Sequence, residues 1–149
     1  MTLYETIRTQ MTSTVPFARH AGVTITEVAD GRAFARLPET PESVNHIGSQ
    51  HAGALFTLGE TASSAAMAGA FAQVLLAIRP VAAKADIAYE RVARGEITAE
   101  ARIGEASEAL RDRLETEGRV RFDVSVTLRD GADRTVATMQ VAWHVSRPG

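Results

Sequence analysis

Ala52-Gly53-Ala54-Leu55-Phe56-Thr57-Leu58-Gly59-Glu60-Thr61-Ala62-Ser63-Ser64-Ala65-Ala66-Met67-Ala68-Gly69-Ala70-Phe71-Ala72 is a helix-length run in which small residues recur on almost every side. A helix without bulky side chains lets another backbone approach it closely, and one that is apolar all round belongs in an interior. Something must cover it. The surrounding sequence supplies strands for that purpose, so the run from about 52 to 72 is read as a central helix with a curved sheet around it.

The strand signals lie on both sides of this helix. Val23 to Ala29 and Arg32 to Leu37 flank Asp30-Gly31, a dipeptide suited to the positive φ angles of a tight hairpin. Downstream, Ala82 to Val92 alternates poorly, although Ile87 and Tyr89 share a face, and Ile97, Ala99, Ala101 and Ile103 alternate with polar residues. The clearest run sets Val120, Phe122, Val124, Val126 and Leu128 against Arg121, Asp123, Ser125, Thr127 and Arg129. Asp130-Gly131 then turns the chain into Thr135 to Val145, with Met139, Val141, Trp143 and Val145 on one face. Half-buried strands joined by short turns predict an antiparallel sheet. Between Gly104 and Gly118, a charged insert of about 105–117 carries Ala106, Leu110 and Leu114 at helical spacing and is expected to form an exposed helical excursion or lid. Leu3, Ile7 and Met11 mark a short amphipathic helix over about 2–12.

Composition narrows the function. The 149 residues are 45% hydrophobic and 23% charged, as in ordinary globular domains, and are read as one domain, 1–149. There is no cysteine, which excludes thiol nucleophiles, disulfides and thiolate metal sites and fits a reducing, cytoplasmic setting. A net charge of −2 gives no overall basic field for nucleic acid. The eighteen uncharged residues Thr61 to Ile78 approach membrane-span length, but they are mostly Ala, Gly, Ser, Thr and Gln with few large apolar side chains, and Glu60 and Arg79 bracket them, so no membrane partner is expected. No Gly-x-Ser-x-Gly elbow, phosphate-binding glycine loop or metal-ligand spacing occurs; neither a metal nor a separate cofactor is expected.

Glu60 then becomes the informative residue. A carboxylate among apolar neighbours loses hydration, and its pKa rises unless a cation or hydrogen-bond donors stabilise the charge. No Lys or Arg lies between Arg36 and Arg79. At ~100° per residue, Thr57, Glu60, Thr61 and Ser64 fall within about a third of the helix circumference, a narrow polar stripe. Two readings compete: a polar seam at a subunit contact, or a catalytic base or nucleophile. The second is favoured because perturbed carboxylates cluster at functional sites. The first-turn amides of the same helix, at Ala52 and Gly53, can offer donors to an oxyanion. Eight residues separate Ala52 from Glu60, about 12 Å along the axis, so both can serve one bond only if the amides come from an antiparallel second copy. A two-fold dimer with two shared sites is predicted.

The segment Asn45-His46-Ile47-Gly48-Ser49-Gln50-His51-Ala52-Gly53, continuing to Glu60, resembles the motif of the PaaI-like hotdog-fold acyl-CoA thioesterases. That pattern is an Asn, a Gly, then His-Gly-Gly and an acid. The six residues from Asn45 to His51 and the eight from Ala52 to Glu60 match it, and the resemblance spans roughly residues 17 to 146. It implies an α+β hotdog fold: an antiparallel sheet of five to six strands wrapped around one long central helix. It also implies an acyl-CoA substrate, with coenzyme A as part of it, and a homodimer that can pair into a homotetramer. Glu60 would activate water or attack the thioester, and Ala52, with Gly53, would polarise the carbonyl from the partner chain. Asn45 would orient water or substrate, Ser64 would assist Glu60, and His51 would shape the helix start. His51, Thr57, Thr61, Arg91 and Arg94 are candidate substrate contacts; Arg102, Arg119 and Arg121 are further candidates for coenzyme A phosphates at the sheet surface.

One departure from the motif is plain, because Ala52 stands where the family has Gly. Its methyl group leaves the N–H available but crowds an approaching thioester, pointing to a narrowed substrate range or lost activity. Two alternatives therefore stand beside hydrolysis: a hotdog hydratase or dehydratase using His51 with an acid, and a non-catalytic acyl-CoA-binding dimer.

Overall fold

The computed structural model describes residues 1–148. Helix α1 (Leu3–Thr14) starts with a reciprocal cap, in which the Thr2 hydroxyl accepts from the Glu5 amide and the Glu5 carboxylate accepts from the Thr2 amide. A second short helix, α2 (Pro16–Ala21), follows at once. The sequence reading has one N-terminal helix here. Pro16 explains the difference: it has no N–H to continue α1, it leaves Val15 extended, and it is suited to opening a helix.

The hairpin β1 (Thr24–Ala29) and β2 (Arg32–Leu37) turns through Gly31 at φ 71°. Then come α3 (Ala52–Ala70), β3 (Arg79–Tyr89), β4 (Ile97–Ile103), α4 (Ser107–Glu117), β5 (Arg119–Arg129) and β6 (Thr135–Ser146). The six strands form one antiparallel sheet in the order β1-β2-β4-β5-β6-β3. Its buried face closes on α3, and the apolar positions of the alternating strands, such as Ala99 and Ala101 on β4 and Val124, Val126 and Leu128 on β5, form the core.

The small residues of α3 are required by that wrap. A Cβ at Gly59 would stand 2.6 Å from the Met139 sulfur, and one at Gly69 would overlap the carbonyl oxygen of Ala29. The helix ends at Ala70, two residues before the sequence boundary. Phe71 is its C-cap and packs on Phe122, with ring centroids 5.8 Å apart, and Ala72–Ala77 form a 3-10 turn. The uncharged run to Ile78 is thus divided among several elements. No helix among the described residues is long and apolar enough to cross a membrane.

Strand β3 starts at Arg79, earlier than its alternation indicates, and occupies a sheet edge. Its register shifts between Ala82 and Lys84, and most of its side chains are exposed, which is why its pattern is faint. The insert helix α4 is not wholly exposed: Leu110 and Leu114 are buried. Arg111 donates to the carbonyl of Ala70 at 2.7 Å, which fixes α4 beside the C-terminus of α3, at the far end from the N-terminal motif.

Candidate active site

The loop leading into α3 is organised by its own polar groups. Asn45 Oδ1 accepts from the amides of Ile47 at 3.0 Å and Ser49 at 3.1 Å, while the Asn45 amide donates to the Ser49 carbonyl at 2.7 Å. Gly48 sits at φ 75°, in the left-handed region that closes this turn. Both acceptor positions on Asn45 Oδ1 serve the loop, leaving its Nδ2 donors for a ligand.

Two residues not singled out from sequence anchor the loop to the sheet. Gln50, only 1% exposed, donates from Nε2 to the Gly95 carbonyl at 3.0 Å, and its amide donates to Ala93 O at 2.7 Å. The Ser49 hydroxyl accepts from the Ala93 amide at 3.0 Å. Both lie inside the motif, but their partners are more than forty residues away, a pairing that spacing alone does not reveal.

His51 caps α3. Its Nδ1 accepts from the Gly53 amide at 2.8 Å, so the ring presents a lone pair there and the Gly53 donor is already engaged. Ala52 is exposed, and its amide has no acceptor among the described residues. The carbonyl of Ala52 accepts from Tyr89 Oη at 3.0 Å, which ties the helix start to the end of β3. Tyr89 is the third residue sequence reasoning did not place here. Arg94 stands over the loop, with Nη1 3.4 Å from the Ile47 carbonyl. Arg91 instead donates to the carbonyl of Thr135 at 3.1 Å.

Down the helix, Ala52, Gly53, Phe56, Thr57, Glu60 and Ser64 form a stripe that the sheet does not fully cover. Thr57 donates to the Gly53 carbonyl at 2.9 Å. Thr61 leaves the predicted polar stripe: it is 8% exposed and belongs to the buried side. Glu60 is half-buried, and its carboxylate has neither a hydrogen-bond nor an ion-pair partner among the described residues. Burial alone pushes its pKa above the ordinary carboxylate value. Its turn of helix is fixed from behind, where Trp143 Nε1 donates to Ser63 Oγ at 3.3 Å and Ser63 donates to the Glu60 carbonyl at 2.7 Å.

Within one chain, then, the amide-bearing helix start and the unpaired acid lie on the same open stripe, separated by eight residues of helix. An acid held in this way can take a proton from water or attack a carbonyl, and the free amide can stabilise an oxyanion.

A six-stranded antiparallel sheet wrapped around a central helix, with this motif at the helix start, defines the hotdog fold. The chain belongs to the family described as Domain of unknown function (DUF4442), whose model matches residues 5–145. Among solved structures, it is similar to the Pseudomonas aeruginosa protein PA5026, described as a protein of unknown function and probable thioesterase. That likeness has a TM-score of 0.85 at 26% identity, covering 97% of this chain and 95% of the other. The conserved protein PA5202 of the same organism matches with a TM-score of 0.73 at 27% identity, covering 93% and 98%. The Escherichia coli PaaI protein from the phenylacetic acid degradation operon shares the fold, with a TM-score of 0.69 at 21% identity over 94% and 93%. No curated protein matches the chain at the sequence level.

Proposed function

We propose that this chain is an acyl-CoA thioesterase, acting as a pair of antiparallel copies whose α3 helices face one another. The observation that carries this reading is Glu60, a half-buried carboxylate with no partner and a raised pKa, on the uncovered stripe of a helix whose first amide is free. The name of a full-length structural relative, a probable thioesterase, agrees with it.

The exposed edge of β3 supports the pairing. An eleven-residue edge strand with apolar Val81 and Tyr89 about half exposed is a template for another strand. Pairing β3 with its copy would bring the second α3 alongside the first. The partner's Ala52 amide would then supply the donor that lies about 12 Å away within a single chain.

The step follows from these groups. Glu60 takes a proton from water as the oxygen attacks the thioester carbonyl, and the carbonyl oxygen gathers negative charge against the partner's Ala52 N–H. Collapse of the adduct breaks the C–S bond, and the proton returns from Glu60 to the departing thiolate, giving a carboxylic acid and free coenzyme A. Direct attack by the carboxylate would instead form an anhydride that water opens. In this reading Asn45 Nδ2 orients water or substrate, Ser64 assists Glu60, and Arg94, whose Nη1 lies 3.4 Å from the Ile47 carbonyl, meets a substrate phosphate.

The test is thiol release from a panel of acyl-CoAs by the wild type, Glu60→Gln and Glu60→Ala. Activity confined to the wild type is expected; undiminished turnover in both variants would remove Glu60 from the mechanism. A non-catalytic acyl-CoA-binding dimer is a second reading, favoured by one observation: His51 occupies the Gly53 amide and Ala52 carries a methyl group, leaving a sparse oxyanion site. Saturable acyl-CoA binding without thiol release would select it. Hydration is less favoured, because the His51 Nδ1 is engaged by the helix start.

A further inference from the structure

We infer that the outer face of the sheet, turned away from α3, carries a binding site for a phosphate-bearing ligand built from Arg79, Arg119, Arg121, His144 and Ser146. Strand register brings these residues together. Arg79 on β3 is paired with Ser146 on β6, which is paired with Arg119 on β5. In the next row on the same face, Val81 is paired with His144 and His144 with Arg121. Strands lie about 4.8 Å apart, so the Arg79 and Arg119 backbones are roughly 10 Å apart with the serine between them. Two extended guanidinium side chains on that spacing can close on one group, with a hydroxyl beneath it.

The residues line a cleft of about 550 Å³, within the size range of small-molecule sites. Arg113 and Glu117 of α4 complete its wall, and Arg113 is already paired with Glu105 at 2.9 Å. Among the described residues, Glu117 is the only carboxylate lining the cleft.

The charge is left uncompensated. Most of the Lys and Arg side chains in this net-acidic chain form ion pairs; Arg32, Arg102 and Arg129, for example, all converge on Glu100. Arg79, Arg119 and Arg121 pair with no carboxylate among the described residues. Like charges gathered on one sheet face repel one another, and a bound dianion would reverse that effect. Guanidinium forks fit phosphate oxygens bidentately and are more weakly hydrated than ammonium groups, and three unpaired cations match a phosphate dianion better than a singly charged carboxylate. The side chains rise from the face of the sheet, so backbone pairing along the β3 edge does not use them.

The site takes up the phosphate contacts expected of Arg119 and Arg121 but needs no turnover at Glu60, and its test contains no thioester. The purified full-length chain is titrated calorimetrically with inorganic pyrophosphate and, separately, with adenosine 3′,5′-bisphosphate. Saturable binding is expected, weakened roughly tenfold or more for each guanidinium removed, in Arg79→Gln and in the Arg119→Gln/Arg121→Gln double variant, while Arg8→Gln binds as the wild type does. Tighter binding of the adenosine ligand would identify a nucleotide as the source of the phosphate, and equal binding would identify the bare phosphate group; either supports the site. The absence of saturable binding by both ligands, or binding unchanged in Arg79→Gln and in the double variant, overturns it. All three arginines are exposed, and Arg79→Gln alone decides the matter if the double variant does not fold.

Discussion

From Ala65 to Ala70, every residue of α3 is buried; from Ala52 to Glu60, a stretch of the same helix that is also rich in small residues is open along one stripe. In the closed half, small residues allow contact, because the β1–β2 hairpin comes down onto Gly69 until no Cβ can fit. In the open half, Ala52, Gly53 and Ala54 leave room, and the space holds an unpaired acid and a free amide instead of a strand. One helix composition therefore serves packing at one end and chemistry at the other. What separates the two ends is how far the sheet reaches along the helix.

The most severe way to break the closed half is Gly69→Val. The new side chain would overlap the Ala29 backbone, which cannot swing aside as a side chain can. The expected loss is about 4 kcal/mol or more, the severe end for point substitutions, read as a collapse of the denaturation midpoint or as insoluble protein. A stable Gly69→Val variant would mean that the hairpin does not seat on the helix as described.

Glu60→Gln is the matching break in the open half. It should leave the fold in place and lower kcat/KM for acyl-CoA by about a hundredfold or more, the usual scale for a general base. The contrast is the point. Gly69→Val removes folded protein, whereas Glu60→Gln removes turnover from folded protein, and far-UV circular dichroism beside the thiol-release assay distinguishes them.

A smaller effect is expected where the open half begins. His51→Ala removes the acceptor of the Gly53 amide and should cost about 1 kcal/mol of stability, as loss of an N-cap does. His51→Asn, which restores a capping oxygen, should recover most of it in thermal melts. No recovery would assign His51 a task beyond the helix start.

The closed half was legible in the sequence because its signals are local. Alternation over 120–129 places the strand facing the helix, and the lack of bulk in Ala62 to Ala70 requires a close neighbour. The motif spacing also marks Asn45, His51, Ala52 and Glu60. What it does not carry is long-range pairing. The Gly53 amide reads as a free donor until the His51 rotamer is seen, and Thr61 reads as part of the polar stripe until the sheet covers it. Tyr89 reaches Ala52 only because β3 ends beside the helix start, and β3 was itself the faintest strand, being an edge with a register shift. Arg79, Ser146 and Arg119 are brought into one row only by three-strand register.

The subtlest effect is on stability against pH. Burial raises the Glu60 pKa, so the folded chain keeps this proton over a pH range in which the unfolded chain has released it. The folded state binds more protons there, and stability falls as pH rises from the unfolded value, near 4.3, through the folded one. Above both values the loss is constant. Glu60→Gln has no proton to lose, so relative to wild type it should be the more stable at neutral pH, by a margin that shrinks to nothing below about pH 4. Asp130 supplies the opposite sign. The Arg134 amide, the Ala132 amide and the Arg134 guanidinium hydrogen-bond its carboxylate and hold its pKa below the usual value. Its stabilisation is present above the unfolded pKa and lost as pH falls through the folded one, so Asp130→Asn should be destabilised at neutral pH and converge on wild type in acid. Urea midpoints for the three proteins across this range test both signs. If Glu60→Gln is less stable than wild type at neutral pH, the carboxylate is held by a stabilising partner and is not the poised acid that the open half of α3 requires.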